Sequence, residues 1–265
     1  MPIRFTHRPG LVVYLTVGDP DLATTRAIAL AAIDAGADVL ELGVPFSDPL
    51  ADGPVIERAS HRAVANGTTL GDVLALAREL RAARSQAGLI IFSYVNPILR
   101  YGLERFTTDA RAAGVDGVLA TDLTIEEADG RYLDAIRAAG LAPIFLVAPT
   151  STDSRLQRIA ALSQGFVYAI SRVGITGTQQ SLTSDARSLV ERLRRYTKLP
   201  IAVGFGVSNA AHVAVLGEFA DAAVIGSAIV GLIEKASPED APAAVAQFIQ
   251  GLHIQGLRPA AAAPR

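Results

Sequence analysis

Eight short, almost continuously apolar runs alternate along the chain with longer Ala-, Leu- and Arg-rich segments of helical period. Runs of this kind are typical of parallel strands that helices cover on both faces. Their regular alternation with helical segments predicts β/α units on one parallel sheet. The runs are LVVYLTV (11–17), DVLEL (38–42), LIIFSY (89–94), DGVLA (116–120), APIFLV (142–147), FVYAIS (166–171), PIAVGF (200–205) and DAAVIG (221–226).

The number of runs and the turn after the first run distinguish two arrangements of such a sheet. Eight β/α units in about 250 residues are typical of a closed barrel. An open doubly wound sheet usually has a GxGxxG turn after its first strand, whereas this chain has TVGDPDLATT there. We therefore expect an α/β fold, a single (β/α)8 TIM barrel, as one domain over residues 1–265. Within it we expect a short N-terminal stub (1–10) and a disordered C-terminal tail (254–265).

One helical segment carries both a start and a stop signal. Thr124 followed by Glu127 forms a capping-box pattern at the start of IEEADGRYLDAIRAAG. Gly140 ends the segment as a C-terminal cap would. The two signals predict one helix between them.

The charge and the apolar segments exclude several classes of protein. The formal net charge is −2 and the arginines are interspersed with acids, so nothing indicates a basic surface for nucleic acid or an anionic membrane. Each apolar run is shorter than the ~18 residues of a membrane span. The N-terminus MPIRFTHRPG lacks the apolar core of a signal peptide. The expected location is the cytoplasm.

The residue inventory restricts the chemistry. The chain has no cysteine, and its four histidines are scattered without metal-ligand spacing, so neither a thiolate nucleophile nor a metal site is expected. A Schiff-base aldolase needs a lysine at the mouth of the barrel. Lys198 precedes the seventh run and Lys235 lies inside a terminal helical segment, so neither is expected at the mouth. A Schiff-base mechanism is therefore excluded. We therefore expect acid–base chemistry on a small phosphorylated metabolite, without a metal.

Two carboxylates in the stretch LELGVPFSDPLADGPVI are the candidate catalytic groups. Glu41 lies in an apolar strand, where a charged, unpaired carboxylate costs several kcal/mol, so it should have a raised pKa or face a polar site. Asp52 follows in a loop that Pro45, Pro49 and Pro54 stiffen. Active sites of such barrels lie at the carboxyl ends of the strands, where one β/α unit would present both acids.

Two other acids are expected to have structural roles. Asp48, in SDPL, should bond its own backbone in a turn. Asp19, in GDPD, should cap the first helix.

The loops after the seventh and eighth runs indicate an anion site. Glycines in GFG (204–206) permit close approach of a ligand, and GSAIV (226–230) opens a helix whose free N–H groups favour phosphate. Gly206 could instead serve a tight turn and Ser227 could simply cap a helix, but barrel phosphate sites are commonly built from these two loops. The loop SRVGITGTQQS (171–181) is expected to be a mobile lid beside this site, the alternative being a plain surface connection.

The stretch LELGVPFSDPLADGP closely resembles the signature of the tryptophan synthase α subunit family. Further blocks resemble the family's blocks in the same order, and together they span about residues 11–252. These blocks are YLTVGDPD, DAGAD, YVNPILRYGLERF, PIFLVAPT, FVYAISRVGITG, VGFGVS and IGSAIV.

The resemblance implies a (β/α)8 barrel that cleaves indole-3-glycerol phosphate into indole and glyceraldehyde 3-phosphate by a retro-aldol reaction without a cofactor or a metal. It implies that Glu41 is the general acid–base group and that Asp52 binds the indole N–H and stabilises the protonated ring. It also implies a β subunit as partner, in an α2β2 tetramer. The substrate-binding residues that it implies are Tyr94, Tyr168, Thr176, Gly177, Phe205, Gly206, Gly226 and Ser227, with Thr176 as the lid residue that reaches Asp52.

The N-terminus departs from the family pattern. The family commonly has a longer N-terminal helix before the first strand, whereas here only MPIRFTHRPG precedes it. The residues that close the bottom of the barrel therefore cannot be inferred from the family.

Two alternatives differ from this interpretation in function. One is another phosphate-binding barrel, such as a sugar-phosphate isomerase or epimerase, against which the proline loop and the paired acids argue. The other is a catalytically silent barrel that acts as an allosteric partner of a β subunit, which the presence of both Glu41 and Asp52 disfavours.

Overall fold

A computed structural model describes residues 3–84, 86–170, 179–204, 206–253 and 258–259 of the chain. Nine parallel strands of the described residues form one sheet, and a two-stranded antiparallel ribbon lies outside it. The strands are β1 (His7–Arg8), β2 (Gly10–Thr16), β3 (Val39–Gly43), β4 (Gly88–Ser93), β5 (Gly117–Ala120), β6 (Ala142–Pro143), β7 (Leu146–Val147), β8 (Val167–Ile170), β9 (Ile201–Gly204), β10 (Ala222–Ile225) and β11 (Arg258–Pro259).

Helices follow the strands in the order that the sequence predicts. They are α1 (Leu22–Asp34), α2 (Pro54–Ala65), α3 (Leu70–Ala83), α4 (Val95–Tyr101), α5 (Leu103–Ala112), α6 (Ile125–Ala128), α7 (Arg131–Ala138), α8 (Asp153–Leu162), α9 (Gln179–Leu193), α10 (Ala210–Leu216), α11 (Ser227–Lys235) and α12 (Ala241–His253). In the part of the chain that the structure covers, none of these helices is long and apolar enough to cross a lipid bilayer.

The large sheet closes into a barrel. Its strand order is β6-β5-β4-β3-β2-β10-β9-β8-β7, so the two strands at its ends are consecutive pieces of the run APIFLV. The two residues between them continue the hydrogen bonding on both sides: Ile144 N–H donates to Val118 O at 2.9 Å, and Tyr168 N–H donates to Phe145 O at 3.1 Å. All eight predicted runs are strands within one or two residues, and the predicted (β/α)8 barrel is confirmed.

Two details of the predicted local structure are wrong. The segment after Thr124 begins with the expected capping box but forms two helices, α6 and α7, because Gly130 between them has φ +94. Asp21, and not Asp19, caps α1 through a bond from Thr24 N–H. Asp19 is instead buried and receives two hydrogen bonds from the Arg62 guanidinium.

Aspartates brace the amino ends of the barrel strands. Each precedes or begins a strand, and its carboxylate accepts a backbone N–H from the strand before it in the chain. Such bonds satisfy N–H groups that would otherwise be buried without an acceptor. The pairs are Asp38 with Leu11, Asp116 with Leu89 and Asp221 with Ile201.

The N-terminal stub fills the bottom of the barrel. Ile3 and Phe5 pack against the apolar side chains that point into the barrel, and the Phe5 ring meets Phe166 edge-on at 6.1 Å between centroids. A Cβ on Gly10 would lie 2.3 Å from Phe5 Cδ1, so the first residue of β2 has no room for a side chain. The stub therefore closes this end of the barrel with two apolar residues.

A Gly10→Ala substitution tests this closure. The added methyl should displace Phe5 and lower the free energy of unfolding by about 1–3 kcal/mol, as overpacking typically does. The matched control is Gly251→Ala in α12, where a Cβ would meet no atom within 4 Å and the helix should gain slightly in stability. Denaturant unfolding measures both. If Gly10→Ala unfolds at the same midpoint as the parent chain, Phe5 is not seated in the barrel.

Candidate active site

Glu41 lies in the middle of β3 with its side chain inside the barrel. Side chains two residues apart on a strand lie on the same face. Val39 belongs to the group of side chains that fills the barrel, so Glu41 also points inward. Its exposed fraction is 0%, and neither carboxyl oxygen has a hydrogen-bond partner among the described residues. Burial raises the pKa of the Glu41 carboxyl from 4.5 to about 8. The group is therefore protonated at neutral pH.

Asp52 is held by a stiff loop with two anchors. The hydroxyl of Ser60, on α2, both receives a bond from Phe46 N–H and donates to Phe46 O. At the other end of the loop, the Tyr94 hydroxyl accepts Ala51 N–H at 2.8 Å and donates to Asp52 Oδ2 at 3.2 Å. The Phe46 ring also contacts the Tyr94 ring, with centroids 5.2 Å apart. These bonds leave the Asp52 carboxylate little freedom to move.

The two carboxyl groups have different protonation states near neutral pH. Burial raises the pKa of Asp52 to about 6, the hydrogen bond from Tyr94 lowers it, and the charge on Glu57 raises it. Asp52 is thus mostly ionised at pH 7, while Glu41 keeps its proton. Pairs of acids whose environments separate their pKa values in this way can act as a proton donor and a charge stabiliser.

Three tyrosines surround the acid pair. Tyr94 contacts Asp52 directly, and burial followed by the Asp52 charge raises its pKa. Tyr14, on β2, is buried and Tyr168, on β8, is partly buried. Loss of solvent around each ring, and after it the charges of Asp52 and Glu41, raise the pKa of both phenols. Their hydroxyls therefore stay protonated, as donors beside the two carboxyls.

Tyr14 was not among the residues predicted from the sequence. It pairs with Glu41 across the parallel strands, and its hydroxyl accepts a hydrogen bond from Thr16 at 3.3 Å. Inward glycines make room for the tyrosines: a Cβ on Gly43 would lie 2.4 Å from the Tyr14 hydroxyl, and one on Gly204 would lie 3.0 Å from that of Tyr168. A glycine inside an apolar strand was the signal that could have indicated this close approach.

The residues predicted to bind phosphate are only partly described. Thr176, Gly177 and Phe205, and residues 171–178 of the predicted lid, lie outside the described residues. Gly206 is exposed with φ +80, and Gly226 and Ser227 stand at the N-cap and first position of α11. A Cβ on Gly226 would be 3.6 Å from Tyr14 Cβ. The amino end of α11 therefore lies beside the tyrosine that flanks Glu41.

A closed (β/α)8 barrel with a protonated, buried glutamate and an ionised aspartate at its mouth defines an acid–base enzyme of the TIM-barrel class. A sequence profile of the family described as "Tryptophan synthase alpha chain" matches residues 3–255. The chain belongs to the tryptophan synthase alpha chain family. The predicted family is thereby confirmed.

Individual relatives agree with this assignment. The tryptophan synthase alpha chain of Solibacter usitatus is 50% identical over 233 residues, which cover 88% of this chain and 86% of the relative. That of Methylibium petroleiphilum is 45% identical over 258 residues, covering 97% and 93%. The solved tryptophan synthase of Mycobacterium tuberculosis superposes with a TM-score of 0.84 at 36% identity, over 93% of each chain. The alpha chain from Legionella pneumophila gives 0.82 at 34% identity, over 94% and 93%.

Family membership settles the reaction. The chain is a carbon–carbon lyase of tryptophan biosynthesis, which cleaves indole-3-glycerol phosphate into indole and glyceraldehyde 3-phosphate and forms a complex with a β subunit. The reaction that the resemblance implied is confirmed, and the isomerase, epimerase and silent-barrel alternatives are set aside.

A pH-dependent difference in stability should follow from the buried Glu41. Between pH 4.5 and about 8, the folded wild type still holds the Glu41 proton, whereas the unfolded chain has released it. The free energy of unfolding of the wild type therefore falls as pH rises through this window. Glu41→Gln has no proton to release at this position. Its free energy of unfolding should equal that of the wild type near pH 4 and exceed it by several kcal/mol at pH 8. Thermal unfolding across this range measures the difference. A constant difference at all pH values would contradict the raised pKa.

Proposed function

We propose that Glu41 performs both proton transfers of the cleavage. The observation that carries this proposal is its buried, protonated carboxyl, which shares the neighbouring phenols of Tyr14 and Tyr168 with the ionised Asp52. Glu41 donates its proton to carbon 3 of the indole ring, and the resulting carboxylate then takes the proton of the hydroxyl next to the scissile bond. The carbon–carbon bond breaks as the aldehyde forms, and its electron pair returns to the ring. Glu41 is protonated again at the end.

Asp52 supplies the charge that this sequence of steps needs. Protonation at carbon makes the indole ring cationic, and an ionised carboxylate at the ring N–H stabilises that cation. Tyr94 holds Asp52 in place and favours its charged form, because it donates a hydrogen bond to the carboxylate. We assign Tyr94 and Tyr168 to substrate binding next to the acid pair.

The phosphate group of the substrate would bind at the loops after β9 and β10. Gly206, Gly226 and Ser227 present backbone groups there, and the amino end of the nine-residue α11 favours an anion. Phe205 and Gly177 belong to the same proposed site, and Thr176 would reach Asp52 from the lid.

Three further features belong to the proposal. Residues 1–265 would form one domain, the complex with the β subunit would be an α2β2 tetramer, and the protein would act in the cytoplasm. Family membership supports the complex with a β subunit, and an enzyme of amino-acid biosynthesis is expected in the cytoplasm.

Release of indole from indole-3-glycerol phosphate tests the assignment of Glu41. The purified chain, alone and with a β subunit, should release indole, and Glu41→Gln should lower kcat by about 10²- to 10⁴-fold, the usual contribution of a positioned proton donor. Glu104→Gln, on the exposed start of α5, serves as the control. Unchanged turnover in Glu41→Gln would remove this residue from the mechanism.

The pH profile tests the division of roles between the acids. In the free enzyme, kcat/KM should fall below about pH 6 as Asp52 gains a proton, and above about pH 8 as Glu41 loses one. Tyr94→Phe removes a bond that lowers the pKa of Asp52, so the acid limb should move up by about one pH unit. The basic limb should stay where it is. An acid limb that moves down instead would contradict the role of Tyr94.

A further inference from the structure

A network of four charged side chains lies outside the carboxylate site. Two arginines of α2, Arg58 and Arg62, both bind Glu234 on α11. Arg58 donates to the two carboxylate oxygens at 2.8 Å each, and Arg62 donates to one of them at 2.8 Å. Arg62 also donates to both oxygens of Asp19, at 2.8 and 2.9 Å. We call these four residues the arginine clamp.

The arginine clamp differs from an isolated surface ion pair. Isolated exposed pairs contribute little, but bidentate geometry and a shared network increase the contribution. The Asp19 side chain is only 3% exposed, and among the described residues Arg62 is the guanidinium that pairs with it, so loss of Arg62 would leave a buried carboxylate without this ion pair. The hydrogen bonds from Arg58 and then from Arg62 lower the pKa of Glu234 to about 2. Glu234 is therefore ionised throughout the working pH range.

The clamp joins the two helices whose amino ends face the site. Helix α2 begins at Pro54, two residues after Asp52, and α11 begins at Ser227, in the proposed phosphate site. Between these ends and the clamp the helices also pack directly. A Cβ on Gly231 would lie 3.7 Å from Val55 Cγ1, which shows how close α2 comes to the small residues of α11. Apolar packing and the clamp together fix one helix against the other.

We propose that Arg58, Arg62 and Glu234 are positioning residues that set the distance between Asp52 and the bound phosphate. The inference rests on the proposed roles of Asp52 and Ser227. The substrate is rigid at its indole end and is held at its phosphate end, so an error in the placement of α2 on α11 becomes an error in the placement of Asp52 at the ring. Asp52 acts mainly on the positive charge that develops on the ring during the reaction, so such an error lowers kcat more than it raises KM.

Two variants break the clamp in different ways. Arg58→Leu removes the bidentate bond but leaves both Arg62 interactions in place, and Glu234→Gln removes the shared charge. Each should lower kcat for indole release about tenfold, since small displacements of catalytic groups have effects of this size. KM should change less than about twofold, and inhibition by inorganic phosphate should be unchanged because the amino end of α11 is intact. The control is Glu79→Gln, which removes an exposed pair with Arg26 and should leave kcat unchanged.

The double variant Arg58→Leu with Glu234→Gln adds a second criterion. Because both changes disrupt one network, their effects on kcat should be clearly less than additive. If kcat of both single variants stays within about twofold of the wild type, the inference is overturned. If inhibition by phosphate weakens in these variants as much as kcat falls, α11 is generally loosened, and this result would also overturn the inference.

The outcomes also separate this inference from the function on which it rests. Asp52→Asn, measured in the same series, tests that function, and full activity in this variant would refute the role of Asp52 whatever the clamp variants do. If Glu234→Gln is unfolded at the assay temperature, Arg58→Leu decides alone, because the Arg58 side chain is 52% exposed and its loss leaves the buried Asp19 paired.

Discussion

Burial of the Glu41 carboxyl is the constraint on which the rest of the site depends. A carboxyl inside a barrel, with no hydrogen bond to either oxygen from the described part of the chain, keeps its proton because burial disfavours its charged form. The same burial that costs stability makes this group a proton donor at neutral pH. The surrounding tyrosines keep their own protons for the same reason, so the interior of the barrel mouth is neutral. The ionised Asp52, on a loop at its edge, supplies the negative charge.

The loop that carries Asp52 and the helix that follows it are fixed by bonds to several separate parts of the barrel. Tyr94, at the end of β4, fixes the carboxylate, and Ser60 fixes the start of the loop. Beyond the loop, the arginine clamp ties α2 to α11 and to the turn that contains Asp19. Prolines reduce the freedom of the loop before these bonds form. Preorganisation of this kind lets a carboxylate stabilise a developing charge without moving during the reaction.

The sequence predicted the strands, their order and the closure of the barrel, because strands that are covered on both faces leave continuous apolar runs. The position of Glu41 followed from the same pattern, since an acid within such a run is conspicuous. Asp19 was assigned wrongly because GDPD contains two acids two residues apart, and only Arg62, far along the chain, decides which one caps the helix. Tyr14 was missed because a continuous apolar run does not reveal which of its side chains point inward. The Gly130 break was missed because glycine inside a helical pattern also occurs in unbroken helices.

The ionisation of Glu41 itself is the most direct test of this account. Infrared difference spectroscopy can follow the carboxyl C=O band of the ligand-free protein through a pH titration, and subtraction of the Glu41→Gln spectrum isolates the signal of this one group. The account predicts a protonated carboxyl band that persists at neutral pH and disappears near pH 8. A band that is lost near pH 4.5 would mean that Glu41 is an ordinary ionised carboxylate, and its role as the proton donor at neutral pH would be contradicted.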